Sequence, residues 1–299
     1  MATPRRILNY EGRYSLVDDI PFRMPVKCVN SPVLMAIFTI DADKARKLIP
    51  GNEVYPFRLW KRGLLVITVV DYLQTNIGKY IEFSIAIACT HGAAPAPRLL
   101  PAIFQNHYGL GQYVFDLPVS TEISVKGGKG IWGMPKHQAN LNYIVGPDKV
   151  SSQYDLDGQF GMKIEIDRPK SAWLSMSTAA ANYSAFRGML FKSRIYFNGK
   201  MGFSLLKKGA ATLTIGSLPR LQPLKELDIN PDPFCTVFIP QATGILDDYC
   251  ESWFLTFAQP PTKPPEGMES VVNLGLSEQW LPPPAPVPTT TTTVDRITL

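Results

Sequence analysis

The apolar runs in this chain are as short as single strands, and this limits the fold more than any other feature. They fall at 33–40, 64–72, 113–115, 162–166, 172–176, 210–215 and 235–239. The run 64–72 is largely apolar and rich in β-branched residues, which suits a buried strand. In Met162-Lys163-Ile164-Glu165-Ile166 the polar residues alternate with apolar ones, so one face is wet. Helical signals are few. Asp41 can cap a short helix over 42–48 that Pro50 stops. Ala179-Ala180-Ala181 predicts a second helix within 177–190. Many strands and one or two helices predict a mainly β (α+β) fold, a largely antiparallel barrel or layered sheet.

Proline marks the end of the compact part. From Pro260-Pro261 onward, proline pairs and a threonine run read as an extended tail without a core. A domain over 1–258 and a Pro/Thr-rich tail over 259–299 are therefore expected. Within the tail, Val271-Val272-Asn273-Leu274 and Trp280-Leu281 are apolar enough to dock on the body or on a neighbouring subunit. With 45% hydrophobic and 18% charged residues the chain can bury a sizeable core. The net charge of +5 is spread without a long basic run, so no nucleic-acid partner is implied.

Several function classes drop out. Cys28, Cys89, Cys235 and Cys250 form no Cys-x-x-Cys pair, and the start Met-Ala-Thr-Pro-Arg-Arg lacks the apolar core of a secretory signal. Reduced thiols in a cytoplasmic protein are expected. No apolar run approaches the roughly 18 residues of a membrane helix. His91, His107 and His137 have no metal-ligand spacing, so no metal is expected. A phosphate loop, a dinucleotide fingerprint and a Gly-x-Ser-x-Gly elbow are missing, and no cofactor is called for.

The chemistry is carried by Trp132-Gly133-Met134-Pro135-Lys136-His137, after the glycine-rich run 126–130. A neutral lysine amine attacks ketones, and the imine that forms is an electron sink for an adjacent carbon–carbon bond. A free lysine titrates near ~10.4, so such an amine needs burial or a neighbouring cation. Glu82 stands out separately. Phe83, Ile85, Ile87 and Cys89 share one face of a strand, while Glu82, Ser84, Ala86 and Ala88 share the other. A face of small residues leaves room, and Glu82 would look into it.

Residues 128–137 resemble the active-site segment of the acetoacetate decarboxylase family, which carries a Gly-Arg-Glu followed by aromatic-Pro-Lys-Lys. Three further stretches match in order: 39–50 resembles the early helix, 79–82 the strand with a catalytic glutamate, and 221–227 with 239–249 the closing segment. The resemblance spans roughly residues 20–255. It implies a closed, cone-like β-barrel with a few peripheral helices and a central cavity. It also implies that Lys136 forms the imine and that Glu82 orients substrate or moves a proton. The family is itself the standard instance of a lysine activated by burial or by a neighbouring cation.

The departures bear on substrate. The family's second lysine is His137 here, which leaves burial to do more of the activation, with Trp132 and Met134 as candidate apolar walls. The substrate-facing arginine falls on Ser31, a second glutamate on Ile67, and the Gly-Arg-Glu glutamate on Gly130. Arg23 is a candidate replacement guanidinium. The apolar loop 93–101 would line or lid a larger pocket, or make a subunit contact.

The expected function is a lyase acting through a Lys136 imine on a small-molecule keto acid or ketone. Decarboxylation of a β-keto acid larger or less polar than acetoacetate leads. An aldol, retro-aldol or dehydration reaction through the same lysine is the alternative, and a non-catalytic barrel binding an apolar carbonyl compound is a third. No membrane association is expected, and a homo-oligomer is.

Overall fold

Strands make up most of the regular structure in the computed structural model, which describes residues 5–260, 262 and 281–285. The main strands are β1 (Val26–Asp41), β2 (Arg62–Tyr72), β3 (Tyr80–His91), β4 (Gly111–Val119), β5 (Lys136–Gln138), β6 (Lys149–Leu156), β7 (Gln159–Asp167), β8 (Leu174–Phe186), β9 (Met189–Leu205), β10 (Ala211–Ile215) and β11 (Cys235–Phe254). Seven of them close a ring in the order β3-β2-β1-β11-β9-β8-β4, with β4 pairing back to β3. A smaller sheet, β6-β7-β10 with two short flanking strands, packs outside it.

The barrel is mixed rather than antiparallel. β4 closes on β8 in parallel, pairing Gln112 with Asn182 and Tyr113 with Tyr183. β5 also runs parallel to β4. Parallel neighbours need a long crossover. Here the chain supplies one between β4 and β8, containing a helix, β5 and four of the five strands of the outer sheet.

The helix expected over 177–190 is not there. Those residues form β8 and the start of β9, a hairpin paired from Leu174↔Met201 to Phe186↔Met189. Arg187 and Gly188 both have positive φ, 53° and 74°. A two-residue turn of that hand fits the natural strand twist. Pairing with β9 on one side and with β4 on the other outweighs the helix preference of three alanines. The helix at Ala42–Arg46 does form, and Asp41 accepts from the backbone N–H groups of Asp43 and Lys44 at 2.8 and 2.9 Å.

Alternation decides what each barrel strand faces. Ile67, Phe83, Ile85, Ile87 and Cys89 point outward and pack against Tyr154, Met162, Ile164 and Ile166 of the outer sheet. This layer is the main core. The opposite faces of β2 and β3 supply Thr68, Val70, Glu82 and Ser84 to the barrel interior. The hydrophobic interior therefore lies between barrel and sheet, while the barrel keeps a cavity. No helix among the described residues is long and apolar enough to cross a membrane.

Residues 271–274 and Trp280 lie outside the described residues. Leu281 is described and is 37% exposed. The stretch 281–285 runs beside the outer sheet, where Asn140 donates to the carbonyl of Pro282 at 2.5 Å and Gln153 to that of Ala285 at 3.0 Å.

Candidate active site

The glycine-rich run 126–130 lies inside a helix, Glu122–Trp132. Glycine weakens a helix interior by about 1 kcal/mol each relative to alanine, so close packing has to explain it. A Cβ at Gly127 would come within 2.7 Å of the Phe22 ring, and one at Gly130 within 2.6 Å of Val17. At Gly128 a Cβ would sit 2.3 Å from Cδ of Lys136. The helix ends at Gly133 in the left-handed conformation, φ 62°, where glycine is the natural stop. Pro135 cannot continue the helix, and the chain turns into β5 with Lys136 as its first residue. Lys136 lies beside Leu117 of β4 and points inward, along the groove left by Gly128.

Its amine sits in a small polar group. Lys136 Nζ is 2.7 Å from Oε2 of Glu82 and donates to Ser124 Oγ at 3.0 Å. It lies 5.3 Å from the centre of the Tyr80 ring. Tyr80 stacks on Tyr72 at 4.5 Å, and Tyr72 Oη donates to Oε1 of Glu82 at 3.5 Å. Burial, and then the Glu82 carboxylate, push both phenols well above their ordinary range, so both remain protonated donors. Lys136 is 5% exposed.

The amine opens into a cavity with about 80 Å³ of room for water. Trp132, Met134, Val114, Phe197 and Leu246 make much of its wall. Among the described residues that line it, Glu82 and Lys136 are the only charged ones. Trp132 is held by its indole N–H, which donates to the carbonyl of Asp247 at 2.8 Å. Cys28 also lines the cavity, and burial pushes its thiol up to about 11.

The structure brings together Lys136, Glu82, Trp132 and Met134 from the sequence-derived set. The others lie elsewhere. His137 follows Lys136 on β5 and so faces the opposite way, with Nε2 3.0 Å from Oδ1 of Asp116. Ile67 is buried on the outward face of β2, and its neighbour Thr68 faces the cavity. The ungapped count from Glu82 thus lands one residue off the inward face. Ser31 is fully buried on β1, and its hydroxyl donates to the carbonyl of Val29 at 3.3 Å rather than into the cavity. Arg23 is exposed at the end of the Ile20–Arg23 strand. No residue of the loop 93–101 lines the cavity.

Sequence reasoning missed Ser124, Tyr80, Tyr72, Thr68, Gln112 and Asn182. Two were within reach. Tyr80 is two residues from Glu82 and shares its face by the same alternation. Ser124 is four residues before Gly128 and shares its helix face. Nothing local marks the rest, because their places depend on how the ring closes.

The family profile described as acetoacetate decarboxylase (ADC) matches residues 9–184. The chain belongs to the acetoacetate decarboxylase family. Solved structures of similar fold agree. One, from a structural study of acetoacetate decarboxylase, is 15% identical with a TM-score of 0.58, over 80% of this chain and 92% of that one. The enzyme from Legionella pneumophila is 13% identical with a TM-score of 0.55, over 77% and 87%. MppR is 14% identical with a TM-score of 0.51, over 76% and 88%. It is an enduracididine biosynthesis enzyme, seen with the condensation product of pyruvate and imidazole 4-carboxaldehyde. No curated protein matches the chain at a significant level. At these identities the neighbours show the fold shared with the acetoacetate decarboxylase family, and the chemistry has to be argued from this chain's own residues.

Proposed function

We propose that this protein is a carbon–carbon lyase that works through an imine on Lys136, with Glu82 moving the protons. The observation that carries the reading is the 2.7 Å approach of Glu82 to the lysine amine inside an apolar cavity. Attack on a ketone needs the amine without its proton, and Glu82 is placed to take that proton. The amine adds to the carbonyl carbon, water leaves, and a protonated imine remains. In a β-keto acid the bond to the carboxylate carbon then breaks. Its electron pair moves to the imine nitrogen, giving an enamine, and carbon dioxide departs. The proton that Glu82 took serves the hydroxyl that departs as water, so Glu82 draws a second proton from solvent and gives it to carbon, and water releases the ketone. A β-keto acid larger or less polar than acetoacetate suits the apolar wall.

One observation favours a second reaction through the same lysine. The charged lining residues among those described are Glu82 and Lys136, so no further cation stands ready for a carboxylate. A buried guanidinium would clamp a carboxylate by paired charge-assisted bonds. Without one, a retro-aldol cleavage becomes a close rival. Glu82 would take the β-hydroxyl proton, an aldehyde would leave, and the same enamine would remain. The condensation product held by MppR supports this reading on a related fold.

Incubation with a ketone and borohydride, followed by peptide mass analysis, tests the shared step. Covalent mass at Lys136 is expected. Mass at other lysines, or none, would end the reading. Release of carbon dioxide or of aldehyde then separates the two reactions.

A further inference from the structure

The polar residues inside the barrel are not scattered. They lie in a row along one wall, and the residues facing them are apolar. On β3, Glu82 is level with Val70 of β2 and Val119 of β4. Two residues along, Ser84 is level with Thr68. The hydroxyl of Thr68 is buried, lines the cavity and has no hydrogen-bond partner. Further along, β3 reaches Ala88, whose partner on β4 is Gln112. Gln112 pairs across the parallel seam with Asn182, and its amide donates to the Asn182 carbonyl at 2.7 Å.

From Glu82 to Ala88 is six residues, about 20 Å of strand. Glutamate, lysine, glutamine and asparagine all reach into one cavity, so the Lys136 amine and the amide pair stand toward its two ends. The single bond between the two amides uses one N–H and one carbonyl. Whichever way the amides are turned, a carbonyl acceptor remains on one residue and N–H donors on the other. Neutral donors and acceptors do not replace the charge of a guanidinium, and they suit a neutral oxygen group.

We propose that Gln112, Asn182 and Thr68 are specificity residues, and that the substrate is an elongated keto compound with a second, neutral oxygen function far from the reacting carbonyl. A hydroxyl or carbonyl at the distal end meets Gln112 and Asn182. The apolar body lies against Phe197 and Leu246. Thr68 meets an oxygen on the way. This substrate class rests on the imine reading of Lys136.

Two ketones of equal length test it: 9-hydroxynonan-2-one and decan-2-one. The measurement is the half-saturating concentration of each for borohydride trapping at Lys136. The preference for the hydroxyl over the methyl end, taken as a ratio, is expected to fall on the order of 10-fold in Gln112→Leu and in Asn182→Leu. The maximal trapping rate should change little, because the amides do not touch the reacting atoms. A ratio unchanged in both variants would overturn the proposal, and so would a change in rate without a change in ratio. Calorimetric binding of the same pair to Lys136→Ala, with and without Asn182→Leu, reads the distal end without any imine. A missing imine in wild type with an intact binding ratio would therefore count against the Lys136 chemistry alone. If Gln112→Leu does not fold, Asn182→Leu and Asn182→Ala are read in the same way, and Thr68→Val is read with a ketone whose hydroxyl is mid-chain, against decan-2-one.

Discussion

Lys136 and His137 are chain neighbours that face opposite sides of one short strand, and each meets a carboxylate. Inside the barrel Lys136 meets Glu82. Outside it His137 meets Asp116. The two carboxylates differ in how fully they are occupied. Asp116 is 2% exposed and has three partners: His137 at 3.0 Å, the Tyr154 hydroxyl at 3.3 Å and Arg220 at 3.3 Å. Glu82 has the lysine at 2.7 Å and a single long contact from Tyr72 at 3.5 Å, and it borders the cavity. A carboxylate has room for about four hydrogen bonds. Asp116 spends that capacity tying β4, β5, β6 and the segment after β10 together. Glu82 keeps part of it open toward the cavity. The same residue type is saturated with donors in one place and left open in the other, and the proposed chemistry falls to the open one.

The comparison breaks most sharply at the inner pair. Lys136→Ala should lower turnover by a factor on the order of 10⁴ or more, as loss of a covalent nucleophile does elsewhere. Glu82→Gln should cost roughly 10²–10⁴. Both variants should stay folded, since the cavity admits water to whichever group is left. Near-normal turnover in Lys136→Ala would refute the division drawn between the two sides.

The outer carboxylate should show the reverse pattern. Asp116→Ala removes the shared acceptor of three donors and is expected to cost about 2–4 kcal/mol. For a chain of this size that lowers Tm by roughly 5–15 °C. Borohydride trapping at Lys136, measured well below the new Tm, should persist. Lost trapping with an unchanged Tm would show that the outer network acts on the lysine.

Gly128→Ala probes the contact that aims the amine. The new Cβ would fall 2.3 Å from Cδ and 2.7 Å from Cε of Lys136, so the lysine side chain has to move. Displacement of about an ångström at a reacting group costs up to roughly 100-fold, and a loss of about 10- to 100-fold in turnover is expected. The helix itself should gain slightly, since alanine is the better helix former. Activity unchanged to within twofold would mean that the lysine approaches by another route.

How legible this was in the sequence depended on whether the signal was local. Alternation along β3 placed Glu82 inward and Phe83, Ile85 and Ile87 outward, and the structure has them so. Gly133 and Pro135 are a helix stop that could be read directly, yet the glycines before them hid the helix. They are there because Phe22, Val17 and Lys136 press against it, and those contacts come from distant parts of the chain. The same is true of the hairpin at 174–205, where three alanines suggested a helix until ring closure paired them. Counting residues back from Glu82 to find a missing carboxylate reached Ile67, one position off the cavity face. A one-residue error in a strand reverses every side chain, so Thr68 was passed over.

A third carboxylate, at the surface, sharpens the contrast as a control. Asp167 ends β7 and accepts from Lys149 at 2.8 Å and Lys207 at 2.7 Å, with its side chain 30% exposed. Hydrogen bonds from the two lysines hold its carboxyl below the ordinary range. A folded-state value below the unfolded one means that the unfolded chain binds the proton more readily. The stabilisation is therefore present above the unfolded carboxylate's pKa, near ~3.9, and is lost as the pH falls through the lower folded value. Solvent and salt screen a pair this exposed, so Asp167→Asn should cost only about 0.5–1 kcal/mol at pH 7. The difference from wild type should close as the pH falls through that lower folded value and shrink in 1 M salt, where screening acts over ~3 Å. Denaturant unfolding of both proteins at pH 7 and at low pH reads the effect directly. A cost that survives acid would mean that Asp167 acts through neutral hydrogen bonds and not through its charge.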